Sequence, residues 1–238
     1  MSRGALSFGC GGQAPAVTGY RALTCGLVIF DCDGVLVDTE AVANRFLARL
    51  LGECGVAVTY EDCRRRFVGR TIEAVQAMAE AGSGIALGPD WPAKVRAGTE
   101  QAFREAGVEA VPGAAAAMRA LRGVGVPYCV ASSGRFSKMR TSLGAAGLLP
   151  LVEDVLFSAE QVAHGKPAPD LFLYAARSMG AAPADAVVIE DTVPGVLAGK
   201  AAGMRVLGYA GDPLTDAAGL REAGAELFDD MAKVPALI

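Results

Sequence analysis

A chain of 238 residues can bury a substantial core and has room for a main domain plus a smaller one. Its formal net charge of −4 and sequence pI of about 5.1 leave no basic field to hold nucleic acid. Mean hydropathy is positive because alanine is abundant, yet no stretch approaches the roughly 18 continuous apolar residues of a membrane span, so the composition predicts a cytoplasmic, monomeric enzyme with no membrane partner.

Residues 1–22 are rich in Gly, Ala and Ser, carry Arg3 and Arg21, and hold no acid. The glycines oppose the amphipathic helix of a transit peptide, and no apolar stretch precedes Gly9-Cys10 as a lipoprotein site requires. A flexible extension is expected there. Next, Leu27 to Phe30 form a short apolar run suited to a strand buried on both faces, which sets Asp31 and Asp33 at its carboxyl end and Gly34 at the turn. Side chains two apart in an extended segment point the same way, and carboxylates that close require a cation or proton between them. They suit a metal-assisted pair, one nucleophile and one general acid and base. Alone, the tetrapeptide favours that reading over an ordinary acidic turn, and an EF-hand calcium loop fits poorly.

Asp38 and Thr39 offer capping groups, and Ala41, Phe46, Leu47, Leu50 and Leu51 make a helical apolar stripe. Further helical patterns run over 60–66, 71–81 and 90–106, with breaks at Gly82-Ser-Gly84 and Gly107. Within Phe67-Val-Gly-Arg-Thr71, Gly69 would allow close approach and Arg70 would grip an anionic or hydroxylated end of a ligand; a solvated arginine at a helix start is the other reading. Val111-Pro-Gly113 then returns the chain to strand-helix alternation. This predicts an α/β fold, a Rossmann-like doubly wound parallel sheet built from residues 23–38 and 109–238, with a helical cap inserted over 39–108.

Three later segments carry chemistry. Pro127 to Gly134 is a second apolar strand ending in Ser132 and Ser133, before a helix able to present N–H groups to an anion; a plain N-cap serine is the alternative. In His164-Gly-Lys-Pro-Ala-Pro-Asp170 the prolines restrict where the Lys166 ammonium can go, and a helix is expected to begin near Asp170. Ala186 to Thr192 is a third buried run, ending in Glu190 and Asp191. Paired acids there suit Mg²⁺, or simply the positive end of the following helix. The six cysteines, at 10, 25, 32, 54, 63 and 129, show neither metal spacing nor a disulfide framework.

Together, Asp31-Cys-Asp33-Gly-Val, Ser132, Gly-Lys166-Pro-Ala-Pro-Asp and Glu190-Asp191 resemble the haloacid dehalogenase superfamily. Their order and spacing are similar to the branch holding β-phosphoglucomutase and sugar-phosphate phosphatases. The resemblance implies Asp31 as a nucleophile forming an aspartyl phosphate and Asp33 as general acid and base. It implies Lys166 as the neutralising charge, with Ser132 and Ser133 on the phosphate. Mg²⁺ would lie on Asp31, Asp191 and the backbone carbonyl of Asp33, with Glu190 direct or through water. The expected partner is a small phosphorylated metabolite, selected by cap residues such as Gly69 and Arg70. Asp33 argues against the dehalogenases and phosphonate-cleaving relatives of the superfamily, which lack the second aspartate. Where the mutase pattern has a histidine this chain has Ala43, so a phosphatase is expected over a mutase, and an inactive binding protein is the remote alternative.

Overall fold

The computed structural model describes residues 25–67 and 70–238; the expected extension over 1–22 and the candidate Gly69 lie outside the described residues. The chain begins with β1 (Leu27–Phe30) and β2 (Val37–Asp38), followed by four helices, α1 (Glu40–Glu53), α2 (Tyr60–Phe67), α3 (Ile72–Ser83) and α4 (Trp91–Ala106). After β3 (Glu109–Ala110) come α5 (Ala114–Gly123), β4 (Tyr128–Ser132), α6 (Phe136–Ala145), α7 (Leu149–Val152) and β5 (Leu156–Ser158). The last part holds α8 (Asp170–Ser178), β6 (Ala186–Glu190), α9 (Val193–Ala201), β7 (Arg205–Tyr209), α10 (Ala217–Glu222), β8 (Glu226–Phe228) and α11 (Val234–Leu237).

Six strands form one sheet in the order β5-β4-β1-β6-β7-β8, every pair parallel. The first strand is central, and later strands are added on one side and then on the other. That is the doubly wound arrangement, and it opens a crevice at the carboxyl end of β1, where the winding reverses. All four residues of β1 are buried because both faces are covered. Val28 and Phe30 pack into an apolar cluster with Met118 and Leu121 of α5 and Met139 of α6. Leu27 and Ile29 face the opposite layer, with Leu171 and Phe172 of α8 and Val196 of α9. The period-2 alternation of a strand thus divides one short run between two helical layers.

Antiparallel β2 and β3 pair Val37 with Ala110 and Asp38 with Glu109, so the chain leaves and rejoins the core through one two-stranded ribbon. Between them α1 to α4 build their own apolar cluster, including Leu47, Leu51, Cys63, Phe67, Trp91 and Val95. The expected helices at 60–66, 71–81 and 90–106 are present as α2, α3 and α4. The expected caps of α1 differ: the Thr39 side chain makes no cap bond, and Asp38 Oδ1 reaches only the Ala41 N–H, at 3.5 Å. Phe103, near the far end of α4, joins the core cluster instead and ties the helical insert to it. The described cysteines are all free, four of them buried. No described helix is long and apolar enough to cross a membrane.

Leu51 is fully buried inside the insert. Replacing it with alanine should destabilise the protein by about 2–5 kcal/mol through lost burial and a residual cavity. Urea unfolding followed by circular dichroism would measure this, and an unchanged midpoint would contradict a packed insert core.

Candidate active site

The parallel register of β4, β1 and β6 brings three strand ends together. Asp31 follows β1 and its N–H donates to the Ile189 carbonyl at 2.9 Å, which locks it beside β6. The Lys166 ammonium lies against it, donating to Asp31 Oδ1 at 2.5 Å, to Glu190 Oε1 at 2.7 Å and to the Ala131 carbonyl at 3.1 Å. Only 4% of the Lys166 side chain is exposed, so all three ammonium bonds are made inside the protein. The lysine-proline loop therefore delivers its charge to Asp31 and Glu190.

Glu190 is held by several protein donors. Its Oε2 accepts from the N–H groups of Asp191 and Thr192, at 3.0 and 2.9 Å, and from the Thr192 hydroxyl at 2.8 Å. Its Oε1 is held by Lys166, and the whole carboxylate packs against Gly195, where an added Cβ would lie 1.8 Å from Oε1. Glu190 thus orients Lys166 through Oε1 and the 191–192 turn through Oε2. Asp191 itself remains open: its Oδ1 is buried and has no hydrogen-bond partner. Its other oxygen lies over Gly34, where a Cβ would fall 2.0 Å from Oδ2 and where φ is +79°. Glycine at position 34 serves both needs, the positive φ and the close approach.

The second aspartate has a separate environment. Asp33 Oδ2 accepts from Lys138 Nζ at 2.7 Å, and Oδ1 accepts from the Thr39 hydroxyl at 2.7 Å. Thr39 bonds to Asp33 instead of capping α1. Sequence reasoning missed Lys138, although one signal was available: a lysine in the first turn of α6 opposes the helix dipole and calls for an anion nearby. Ser132 ends β4, is buried, and its Oγ accepts from the Gly134 N–H at 3.0 Å. Ser133 is exposed and lines a cavity toward the insert. The first N–H of α6, from Phe136, is taken by Glu160 Oε2 at 3.0 Å, so this helix end is less open to an anion than its sequence suggested. Arg70 also lines the cavity, and Arg64 on α2 bonds Asp212 in the loop after β7 at 2.8 Å, joining insert to core.

Charge explains the pattern. Asp31 and Glu190 share the Lys166 ammonium, and Asp191 next to Glu190 has a buried oxygen with no hydrogen-bond partner. Burial pushes the Asp31 carboxyl up to about 7, Lys166 only partly offsetting it while Glu190 and Asp33 add repulsion. Asp191 is raised well above its ordinary value by burial and then by Glu190 and Asp31. Burial would raise Asp33 too, but the Lys138 ion pair and the bonds from Lys138 and Thr39 outweigh it and hold that carboxyl below the usual range. Among the described residues no three His, Cys, Asp or Glu side chains form a metal cluster by themselves. The excess of carboxyl groups over ammonium groups at these strand ends and the orphaned Asp191 oxygen nevertheless fit a hard divalent cation that takes few protein ligands and keeps its waters, as Mg²⁺ does.

The family model for "haloacid dehalogenase-like hydrolase" matches residues 25–203. The chain is 31% identical to the 6-phosphogluconate phosphatase of Escherichia coli over 186 residues, 78% of this chain and 83% of that protein. Among solved structures, a haloacid dehalogenase family hydrolase from Deinococcus radiodurans with bound phosphate and sodium superposes with a TM-score of 0.78 at 32% identity, covering 90% of this chain and 95% of that one. A putative β-phosphoglucomutase from Thermotoga maritima superposes with a TM-score of 0.75 at 27% identity, covering 89% and 97%.

The raised Asp31 carboxyl carries a stability consequence. Its unfolded value is near 3.8 and its folded value about 7, so between them the folded state holds the extra proton. That contribution is complete below the unfolded value and is lost as pH rises through the folded one. Chelated protein should therefore melt lower at about pH 7.5 than at about pH 6, with a shallower slope in Asp31→Asn. Added Mg²⁺ should raise the melting temperature more at the higher pH, where no proton must be displaced. Differential scanning calorimetry would test both, and a chelated protein that gains stability between these pH values would contradict the assignment.

Proposed function

Since the chain belongs to the haloacid dehalogenase-like hydrolases, we propose that it is a Mg²⁺-dependent phosphatase of small phosphomonoesters, sugar or sugar-acid phosphates, working through an aspartyl phosphate on Asp31. The observation that carries this reading is the pair Asp31 and Asp33 at one strand end, each on its own ammonium, Lys166 and Lys138. Two carboxylates in distinct environments can take two roles. Kinship with a 6-phosphogluconate phosphatase and with a structure holding phosphate supports the substrate class.

A phosphomonoester dianion facing a carboxylate is repelled by roughly 4 kcal/mol per charge pair at about 4 Å and an effective dielectric near 20. Lys166 offsets part of this and fixes one Asp31 oxygen. The Asp31 and Asp191 side chains and the Asp33 backbone carbonyl would hold Mg²⁺, which supplies the remaining charge neutralisation for phosphoryl transfer. Asp31 then attacks phosphorus: an Asp31 oxygen–phosphorus bond forms, the ester P–O bond breaks, and Asp33 gives its proton to the departing alcohol oxygen. In the second half Asp33, now a carboxylate held by Thr39 and Lys138, takes a proton from water. The resulting hydroxide displaces Asp31 from phosphorus, releasing phosphate and restoring both aspartates. Ser132 and the turn after it contact the phosphoryl oxygens. The insert acts as a cap that excludes bulk water during the first transfer.

A mutase must pass its phosphoryl group back to sugar before water takes it. The position where the mutase pattern has a histidine is Ala43 on α1, and it lines the cavity with a methyl group. The chain's single histidine, His164, is exposed and bonded to Asp170 Oδ2 at 3.1 Å. Both facts favour hydrolysis over isomerisation.

Asp31→Asn should abolish phosphoenzyme formation and steady-state turnover, whereas Asp33→Asn should lose about 10²–10⁴-fold in kcat as an acid-base variant. Phosphate release, measured with deamidation back to aspartate excluded by mass spectrometry, checks this; undiminished turnover by Asp31→Asn would remove the covalent route. Activity should disappear with EDTA and return with Mg²⁺. Incubation with glucose 1-phosphate, Mg²⁺ and a trace of glucose 1,6-bisphosphate separates the two chemistries. Free phosphate without isomer is expected, and glucose 6-phosphate accumulating ahead of phosphate would make the protein a mutase.

A further inference from the structure

The row of strand ends that builds the site continues one strand beyond Ser132. In the parallel register of β4 and β5 the last residue of each strand is a serine, Ser132 beside Ser158. Ser158 is fully buried, and a buried hydroxyl is costly unless its hydrogen bonds are made. Its oxygen accepts from the Glu160 N–H at 3.1 Å and its own N–H donates to Gln161 Oε1 at 2.9 Å, the reciprocal bonds that cap the short turn Ala159–Gln161. Capping uses only the oxygen and the backbone. The hydroxyl proton goes elsewhere: Ser158 Oγ donates to the Gly134 carbonyl at 2.7 Å, across 24 residues, and because a carbonyl can only accept, the direction of this bond is fixed.

Gly134 lies in the turn between β4 and α6. Its N–H donates to Ser132 Oγ at 3.0 Å, so a Ser132 lone pair is used and its proton remains to be given to a phosphoryl oxygen. A Cβ on Gly134 would fall 3.3 Å from Ser132 Oγ and 3.8 Å from Asp33 Oδ2, which sets this peptide against both groups. The turn after β5 takes a second hold. Glu160 Oε2 accepts from the Phe136 N–H at 3.0 Å, at the start of the helix whose Lys138 bonds Asp33. The segment from Gly134 to Phe136 is thus gripped at two points from β5, the strand on the far side of β4 from β1.

Resting on the phosphatase reading above, we propose that Ser158 is a positioning residue for phosphoryl binding, acting through the Gly134 peptide on Ser132 and touching no substrate itself. A turn left to itself samples several backbone states, and each bond that fixes it in its bound shape removes an ordering cost from the binding step. Without the Ser158 hydroxyl the Gly134 carbonyl loses its donor. The peptide is then free to rotate, and its N–H no longer holds the Ser132 oxygen in place.

The test is calorimetric binding of inorganic phosphate in excess Mg²⁺, together with kcat/KM on a hexose phosphate. Ser158→Ala should bind phosphate about three- to tenfold more weakly and lose a similar factor in kcat/KM, the worth of one hydrogen bond, and Ser158→Thr, which keeps the hydroxyl, should lie nearer wild type. Gln161→Ala cuts the capped turn but leaves the Ser158–Gly134 bond. It should lower the melting temperature with phosphate affinity unchanged, a split that a merely structural Ser158 would not show. If Ser158→Ala does not fold, Ser158→Cys, close in shape with a weak S–H donor, is judged by the same measure. An active wild type whose Ser158→Ala variant keeps full phosphate affinity and kcat/KM would overturn the positioning role and leave the phosphatase reading standing. A wild type that binds phosphate without hydrolysing esters, more tightly than Ser158→Ala does, would sustain the positioning role and remove the phosphatase reading. A wild type that neither binds phosphate nor hydrolyses an ester would overturn both.

Discussion

The Lys166 ammonium buried between the Asp31 and Glu190 carboxylates is the constraint on which the rest of the molecule depends. Asp191 adds a third carboxyl next to Glu190, with a buried oxygen that has no hydrogen-bond partner, and burying charge is costly unless it is protonated or paired with a cation. Every neighbouring feature serves that arrangement. The parallel register seats Asp31 against β6, the proline-bearing loop brings in Lys166, and Gly34 and Gly195 leave room for Asp191 and Glu190. The two hydrophobic layers packed on β1 supply the rigidity that holds these groups at the strand ends.

The sheet could be read from the chain because its strands are buried on both faces and so appear as short unbroken apolar runs, each ending in the polar residue that matters. The same physics made the insert visible: a change from unbroken runs to helical periodicity at residue 39, and back at Val111. Side-chain partners across long separations were not visible. Lys138 meets Asp33 across 105 residues, and only the folding of α6 over the end of β4 brings them together. Thr39 looked like a cap because hydroxyls before helices usually are, but a charged acceptor six residues back gives it a stronger bond.

Glu190 shows why a motif identifies residues better than their duties. Two adjacent acids at a strand end look like two ligands, yet alternation sends them different ways. Glu190, the last residue of β6, turns inward onto Lys166 and the start of α9, whereas Asp191, past the strand, turns toward the crevice. Spacing specifies that carboxylates are present, and only their hydrogen bonds separate one that is held by several donors from one with an oxygen that has none.

The two aspartates of the chain by itself are set opposite to what phosphoryl transfer needs. On the proposed mechanism Asp31 would attack as a carboxylate, yet burial and its acidic neighbours favour its proton; Asp33 would give a proton, yet Lys138 and Thr39 favour its carboxylate. A cation held by Asp31 and Asp191 would supply positive charge that favours the Asp31 carboxylate, while a phosphoester dianion beside Asp33 would raise the affinity of that carboxyl for a proton. Both proposed ligands would thus shift the two carboxyls toward the forms that transfer needs, through the sign of their charge alone.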